Sequence, residues 1–383
     1  MAQVQRTYIL SADIPSATIC DSEMTDETMK YAAGKHCFTI CNDYSREGAI
    51  VFKEKPIPKA TGSNVLIQVK AVSMNPIDWK RASGAGGQLL APKPLCDLSG
   101  IVVAKGPSAD GPLKVGDEVL TCTYPEQGAL AEYVLAKECA VGPKPLNWDH
   151  TQASALPMGA LTAKHQLALA GLSSGSKLVL IGASGGVGQM VLALARPTGA
   201  FILAVASKAK HDMVKSIGGP NVKVCDYSSE DWVAMCKEDG RPDAVIDVSS
   251  QSPFWGYHKA AMAGANTFIT PNAWDPSFNC CCGKTGPLCP VLEMLWCYYT
   301  TCCSLNVCCC PRYCGCLGMM VFPKALNTAG DVFRTLMQQA ESGDLPTNPL
   351  QIQIFPPQQV HMAYDLAQKK PGSKPVIDLS GGF

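Results

Sequence analysis

Phosphate-binding chemistry is written most plainly in the stretch "KLVLIGASGGVGQMVLALA". An apolar run, Leu178–Ile181, leads into Gly182, Ala183, Ser184, Gly185, Gly186, Val187 and Gly188, and an Ala/Leu-rich segment follows. Small residues in such a turn let backbone N–H groups approach a pyrophosphate, and the N-terminus of the next helix adds a favourable dipole. The pattern is A-x-G-x-x-G on Ala183, Gly185 and Gly188, with alanine where the usual fingerprint has its first glycine. A strand before and a helix after are the context that makes it a dinucleotide signal.

The end of the next apolar run, "AFILAVAS", selects the dinucleotide. About twenty residues past the glycines an NAD site wants a carboxylate for the ribose hydroxyl. Here stand Ser207, Lys208 and Lys210. A hydroxyl and two ammonium groups attract a 2′-phosphate that a carboxylate would repel. NADPH is therefore the expected cofactor, and Tyr227, in "VCDYSSEDW", could add a phenolic contact to the same phosphate.

A second group of chemical interest is the cysteines. Twelve of the chain's 20 fall between Cys280 and Cys316. A soft-metal site is open to them, since thiolates select Zn, Cu(I) or Fe–S. Adjacent pairs and triplets, however, are not the C-x-x-C spacing of zinc ribbons. S-acylation beside Trp296, Tyr298 and Tyr299 would give peripheral membrane attachment. A plain apolar loop whose cysteines act as small hydrophobes is the fourth reading, after a membrane span, which a charge-free stretch from Met294 to Cys310 is too short to favour.

The elements that must carry these groups follow from periodicity. Between Cys37 and Pro145, short runs such as "NVLIQVKAVSM" and "SGIVVAKG" alternate apolar and polar residues between Gly and Pro breaks, which predicts a barrel-like β domain. After Asp149 the spacing turns helical, and from Lys177 strands and helices alternate, which predicts a parallel sheet. A chain of 383 residues with 47% hydrophobic content has room for two cores. Thirty-two basic residues balance 32 acidic ones, so the electrostatic footprint of nucleic-acid binding is missing. Acids in the first 30 residues argue against a transit peptide, and a cytoplasmic chain is expected.

Taken in order, "AVSMNPIDWKRASG" (Ala71–Gly84), "PLCDLSGIVVAKG" (Pro94–Gly106), "KVGDEV", "GALAEYVLA", "ASALPMGALTA", the glycine turn and "GSKPVIDL" resemble the zinc-independent branch of the medium-chain dehydrogenase/reductase superfamily, with its quinone oxidoreductases, ζ-crystallin-like proteins and enone reductases. The resemblance implies an α/β chain: a GroES-like β-barrel domain over 37–158, completed by 346–383, plus a Rossmann doubly wound parallel-sheet domain over 159–345. The Cys-rich insertion, 278–320, would then elaborate a loop of the second domain, and 1–36 would be an N-terminal extension.

Zinc-dependent relatives hold their catalytic metal with Cys, His and Cys. The matching places here are Asn75, Cys96 and the region of Pro157, Met158 and Gly159, which leaves one thiol. No metal is expected. The resemblance then implies a zinc-free reductase of a quinone or α,β-unsaturated carbonyl. Asn75, Asp78 and Lys80 would lie beside the nicotinamide and acceptor, Lys80 as a donor to the developing oxyanion, with Thr162 holding the cofactor. Trp79 and Cys96 would line the acceptor pocket, Cys96 as a thiol open to alkylation; the plainer reading of Asp78 and Lys80 is a structural ion pair. A homodimer is expected. Two rivals stand: a catalytically weak NADPH-binding member acting as a membrane-associated or interaction protein through its Cys-rich segment, and an enoyl-thioester reductase.

Overall fold

The computed structural model describes residues 4–10, 50–82, 95–123, 128–249, 253–271, 329–343, 345, 350–369 and 373–382. The whole of the 278–320 insertion, with its twelve cysteines, lies outside the described residues. The chain divides into two compact units, one of Met1–Met158, Leu326–Gly343 and Leu350–Phe383, the other of Gly159–Ala325 and Asp344–Pro349.

In the first unit, β1 (Val4–Leu10), inside the stretch read as an extension, pairs antiparallel with β2 (Ile50–Pro56). The Val- and Ile-rich runs form β3 (Asn64–Ser73), β4 (Asp97–Lys105), β5 (Glu118–Cys122), β6 (Tyr133–Lys137) and β7 (Val141–Pro143). Two late strands, β13 (Ile352–Phe355) and β14 (Lys374–Asp378), join the same sheet, ordered β13-β14-β3-β4-β5-β7 with β6 also on β3. β3 is the spine. β4 flanks most of one edge, while β6 takes Asn64–Gln68 and β14 takes Ala71–Ser73 on the other. Register shifts at Leu66/Ile67 and Val69/Ala71 let β3 bend, as extra residues in a ladder do. Val65, Ile67, Val72, Leu98, Val102 and Val119 fill the interior that this bending encloses.

The helix Ala329–Glu341, which the sequence reading gave to the nucleotide unit, packs on this first unit. Close approach is the reason: a Cβ on Gly142 would stand 2.3 Å from Cβ of Phe333, a fully buried ring.

The second unit alternates strand and helix: β8 (Lys177–Ile181), β9 (Phe201–Ala206), β10 (Val222–Asp226), β11 (Ala244–Asp247) and β12 (Thr267–Ile269). All neighbours are parallel, in the order β10-β9-β8-β11-β12. The order reverses between β8 and β11, and such switch points are where open α/β sheets bind ligands at strand carboxyl ends. The expected pairing of a barrel-like β unit with a doubly wound one is what the fold contains.

One packing feature sets a pH limit. His150, at the head of the helix His150–Ser154, sits with Nδ1 2.8 Å from Oγ of Ser99 and Nε2 3.2 Å from Glu118, with Lys144 also on Glu118. Burial pushes the His150 imidazole below its usual 6.5, more than Glu118 raises it, and burial lowers His165 as well. Above 6.5 both the folded and unfolded states hold neutral rings. Below it the unfolded chain takes up protons first, so stability falls as the pH drops from 6.5 toward the folded values. Thermal unfolding followed from pH 8 to 5 should show this acid-side loss, and His150→Gln should reduce its slope; an unchanged slope would exclude His150 as its source.

Candidate active site

Gly182 follows directly on β8 with φ 82°, a left-handed backbone that glycine adopts without strain. The N–H groups of Gly182 and Ala183 both donate to the Val205 carbonyl, at 3.1 and 3.2 Å, which ties the turn to β9. Gly188 lies so close beneath that a Cβ there would stand 2.3 Å from the Gly182 carbonyl oxygen. The helix Gly186–Ala195 starts after Gly185 with no side-chain cap, and Gly185 and Gly186 are exposed. Its first N–H groups are the kind of donors that receive phosphate oxygens. Ser184 holds the turn from inside, accepting from Nε2 of Gln189 at 2.8 Å through its carbonyl. Val187 is half-buried on the helix's first turn.

Asp247, at the end of β11, braces the same turn, and nothing in the sequence reading singled it out. Its carboxylate accepts from N and Oγ of Ser249 at 2.9 and 2.7 Å. Ser249 in turn is the backbone a Cβ on Gly182 would strike. Burial raises the Asp247 carboxyl, against the pull of Ser249.

Just past β9, Ser207 and Lys210 are half-buried and Lys208 is exposed; Tyr227, just past β10, is exposed too. The carboxylate at these strand ends, Asp226, is committed to its own turn: Ser228 N and Oγ and Ser229 Oγ donate to it. Those bonds, Ser228 first, lower its carboxyl below the usual range. Two lysines therefore flank the place where an NAD site would show an acid.

In the first unit, β3 ends at Ser73 and the helix Pro76–Ala82 begins three residues later. Asp78 and Asn75 hold that corner reciprocally: Asn75 N donates to Oδ2 of Asp78 at 2.7 Å, and Asp78 N to the Asn75 carbonyl at 3.0 Å. Both side chains are buried. Lys80 belongs to the helix, but its side chain lies outside the described residues. Trp79 packs against the barrel core.

Sequence reading missed the centre of this group, Asp97. Fully buried at the head of β4, it accepts from Nδ2 of Asn75 at 2.9 Å, from Met158 N at 3.0 Å on both oxygens, and from Nζ of Lys374 at 3.3 Å. Lys374 also donates to the Ala155 carbonyl at 2.6 Å. The fold further adds a second thiol to the one counted from sequence. Ligand atoms of Cys96, Asp97 and Cys122 lie within 4.8 Å of one another, all buried. The hydrogen bond with Cys122, then burial, then the charges of Asp78 and Asp97 hold the Cys96 thiol well above its ordinary range. It is a neutral thiol, and neutral thiols are poor nucleophiles.

Leu95, just before Cys96, is the one non-glycine residue with positive φ, 52°, among the described residues. Such a backbone costs about 1–3 kcal/mol and persists where the surroundings enforce it. Here Ala129 N donates to the Leu95 carbonyl and Thr123 N to that of Cys96, at 2.9 and 2.8 Å. Thr162 sits half-buried on the helix Pro157–Ala170, in the other unit.

Residues 61–146 match the alcohol dehydrogenase GroES-like domain. The chain is 33% identical over 255 residues to the quinone-oxidoreductase QR1, chloroplastic, of Triphysaria versicolor, covering 62% of this chain and 76% of that protein. The chain belongs to the medium-chain dehydrogenase/reductase superfamily, in its quinone-oxidoreductase branch. Another member, the NADPH-dependent alkenal/one oxidoreductase, chloroplastic, of Arabidopsis thaliana, is 38% identical over 121 residues, 29% of this chain and 31% of that one. The matched region spans about a third of the first such relatives. Among solved structures, an alcohol dehydrogenase superfamily protein from Novosphingobium aromaticivorans superposes with a TM-score of 0.65 at 22% identity, over 89% of this chain and 99% of that one. In this superfamily member, no helix among the described residues is long and apolar enough to cross a membrane.

Proposed function

We propose that this protein is an NADPH-dependent reductase of quinones or α,β-unsaturated carbonyls that works without a catalytic zinc. When bound, the reduced nicotinamide supplies a hydride to an acceptor that is already electrophilic. The glycine turn and the uncapped helix start offer N–H groups to the pyrophosphate, and Ser207, Lys208, Lys210 and Tyr227 suit a 2′-phosphate. Asn75, Asp78, Lys80 and Thr162 are the groups assigned to orient the reactants. The Asn75 amide and Lys80 ammonium can donate to the oxygen where negative charge develops.

The observation that carries the reading is the state of Asp97. Its charge is already matched by Lys374, and the thiols of Cys96 and Cys122 complete its surroundings, that of Cys96 held in its neutral form. A divalent cation placed there would have to compete with the ammonium and strip the proton of Cys96. The donors that remain are amides and ammonium groups, which suit a conjugated carbonyl better than an alcohol. Relatives named for quinones and for alkenals support the acceptor class.

The test is oxidation of NADPH by purified, reduced protein against 1,4-quinones, α,β-enones and long-chain enoyl thioesters, with NADH in parallel. Saturable turnover of quinones or enones favouring NADPH is expected. Preference for the thioesters would replace the acceptor class. Tight NADPH binding with no turnover would sink the reductase reading and turn attention to the cysteine-rich insertion as an interaction surface.

A further inference from the structure

Asp97 meets a small, fully specified set of donors: the Asn75 amide, the Met158 N–H and the Lys374 ammonium. A carboxylate only accepts hydrogen bonds. It therefore selects the NH2 end of the Asn75 amide and turns the carbonyl end away, a choice an amide does not make without a one-sided partner. The N–H of Met158 belongs to the first turn of the helix Pro157–Ala170, whose leading donors have no partner within the helix. One carboxylate thus fixes the corner after β3 through Asn75 and the first turn of that helix through Met158.

Lys374 makes this arrangement tolerable in a buried place. Its side chain, 14% exposed, brings the ammonium to Asp97 and to the Ala155 carbonyl two residues before the same helix. It comes from β14, which is paired with the end of β3 at Ala71–Ser73.

We propose that Asp97 and Lys374 are a positioning pair: the buried carboxylate, balanced by the ammonium, sets the orientation of the Asn75 carboxamide and the start of the helix Pro157–Ala170. The pair acts through Asn75. The inference rests on the reductase reading for what Asn75 then does.

Four variants test it: Asp97→Asn, Lys374→Met, the double variant, and Asn75→Ala. Asp97→Asn keeps the shape but can present either oxygen or NH2, so the Asn75 amide loses its fixed sense. A lapse of about 1 Å in a positioned group costs about 100-fold, and a fall of that size in kcat is expected, with KM for NADPH moving by less than about threefold. The double variant, with no charge left unpaired, should regain the thermal midpoint of the wild type but not its kcat. Adding Asp97→Asn to Asn75→Ala should cost less than about threefold more, because residues acting through one another are not additive.

Recovery of both midpoint and kcat in the double variant would make the pair merely structural and overturn the proposal, as would full additivity with Asn75→Ala. A readout independent of turnover is the side-chain NH2 resonance of Asn75 in 15N-labelled protein. Its hydrogen-bonded proton should exchange faster in Asp97→Asn, and an unchanged resonance overturns the pair. If the wild type reduces none of the acceptors, the reductase reading fails alone, and this resonance still decides the positioning pair.

Discussion

Gly188→Ala should abolish tight dinucleotide binding and lower the thermal midpoint. The added Cβ would lie 2.3 Å from the Gly182 carbonyl oxygen and 2.8 Å from two backbone atoms of Ala183. No side-chain rotation relieves a clash with backbone. Nor can that backbone retreat freely, because Gly182 and Ala183 both donate to Val205 on the neighbouring strand, and Gly182 abuts Ser249 on the other side. The helix Gly186–Ala195 must move instead, carrying its phosphate-facing N–H groups with it. Overpacking of this kind costs about 1–3 kcal/mol, or about 2–12 °C in a domain of this size. The loss of NADPH affinity should be larger, about 100-fold or more, because several donors shift together. Titration by tryptophan fluorescence together with a thermal melt measures both. Wild-type affinity in this variant would mean that the turn does not hold the pyrophosphate.

The second large effect is expected from Lys208→Glu combined with Lys210→Glu. Hydrogen bonds to charged groups are worth about 1.5–3 kcal/mol each. Turning two ammonium groups into carboxylates removes that attraction and adds repulsion. The ratio of kcat/KM for NADPH over NADH should fall by about 1000-fold or more, with NADH use rising as the new acids meet the ribose hydroxyls. The thermal midpoint should hardly change, since neither lysine is fully buried. Tyr227→Phe gives a smaller change in the same direction. A ratio that stays within about threefold of the wild type would show that these lysines serve only as a solvated surface.

What could be read from sequence was what is local along the chain. The glycine turn announces itself because the end of β8, the positive φ of Gly182 and the helix from Gly186 lie within a few residues. The parallel sheet shows in its alternation of strand and helix. Asp78 was legible as a chemical group, while the hydrogen bond its Oδ2 accepts from the Asn75 backbone, three residues away, was not. Asp97 was not, because its partners are scattered: Asn75, Met158 and Lys374 come together only through strand pairing. Cys96 looked like a lone, alkylatable thiol for the same reason. The register that sets Asp97 opposite Cys122 brings a second thiol beside it and seals both from solvent. The cysteine run, the most conspicuous signal in the chain, lies outside the described residues and leaves the fold argument untouched.

The ion pair of Asp97 with Lys374 joins residues 277 positions apart, and this has a meaning for biosynthesis. At about 5–20 residues per second, a ribosome makes Lys374 roughly 15 to 55 s after Asp97. Throughout that interval β4 can meet β3 and β5, but closing them would bury a carboxylate with no cation, at a cost of about 3–5 kcal/mol. Until β14 arrives, a closed barrel would carry that cost. The last-made strand thus supplies the charge that makes the first-made interior tolerable, so the barrel reaches its full stability only when β14 is in place.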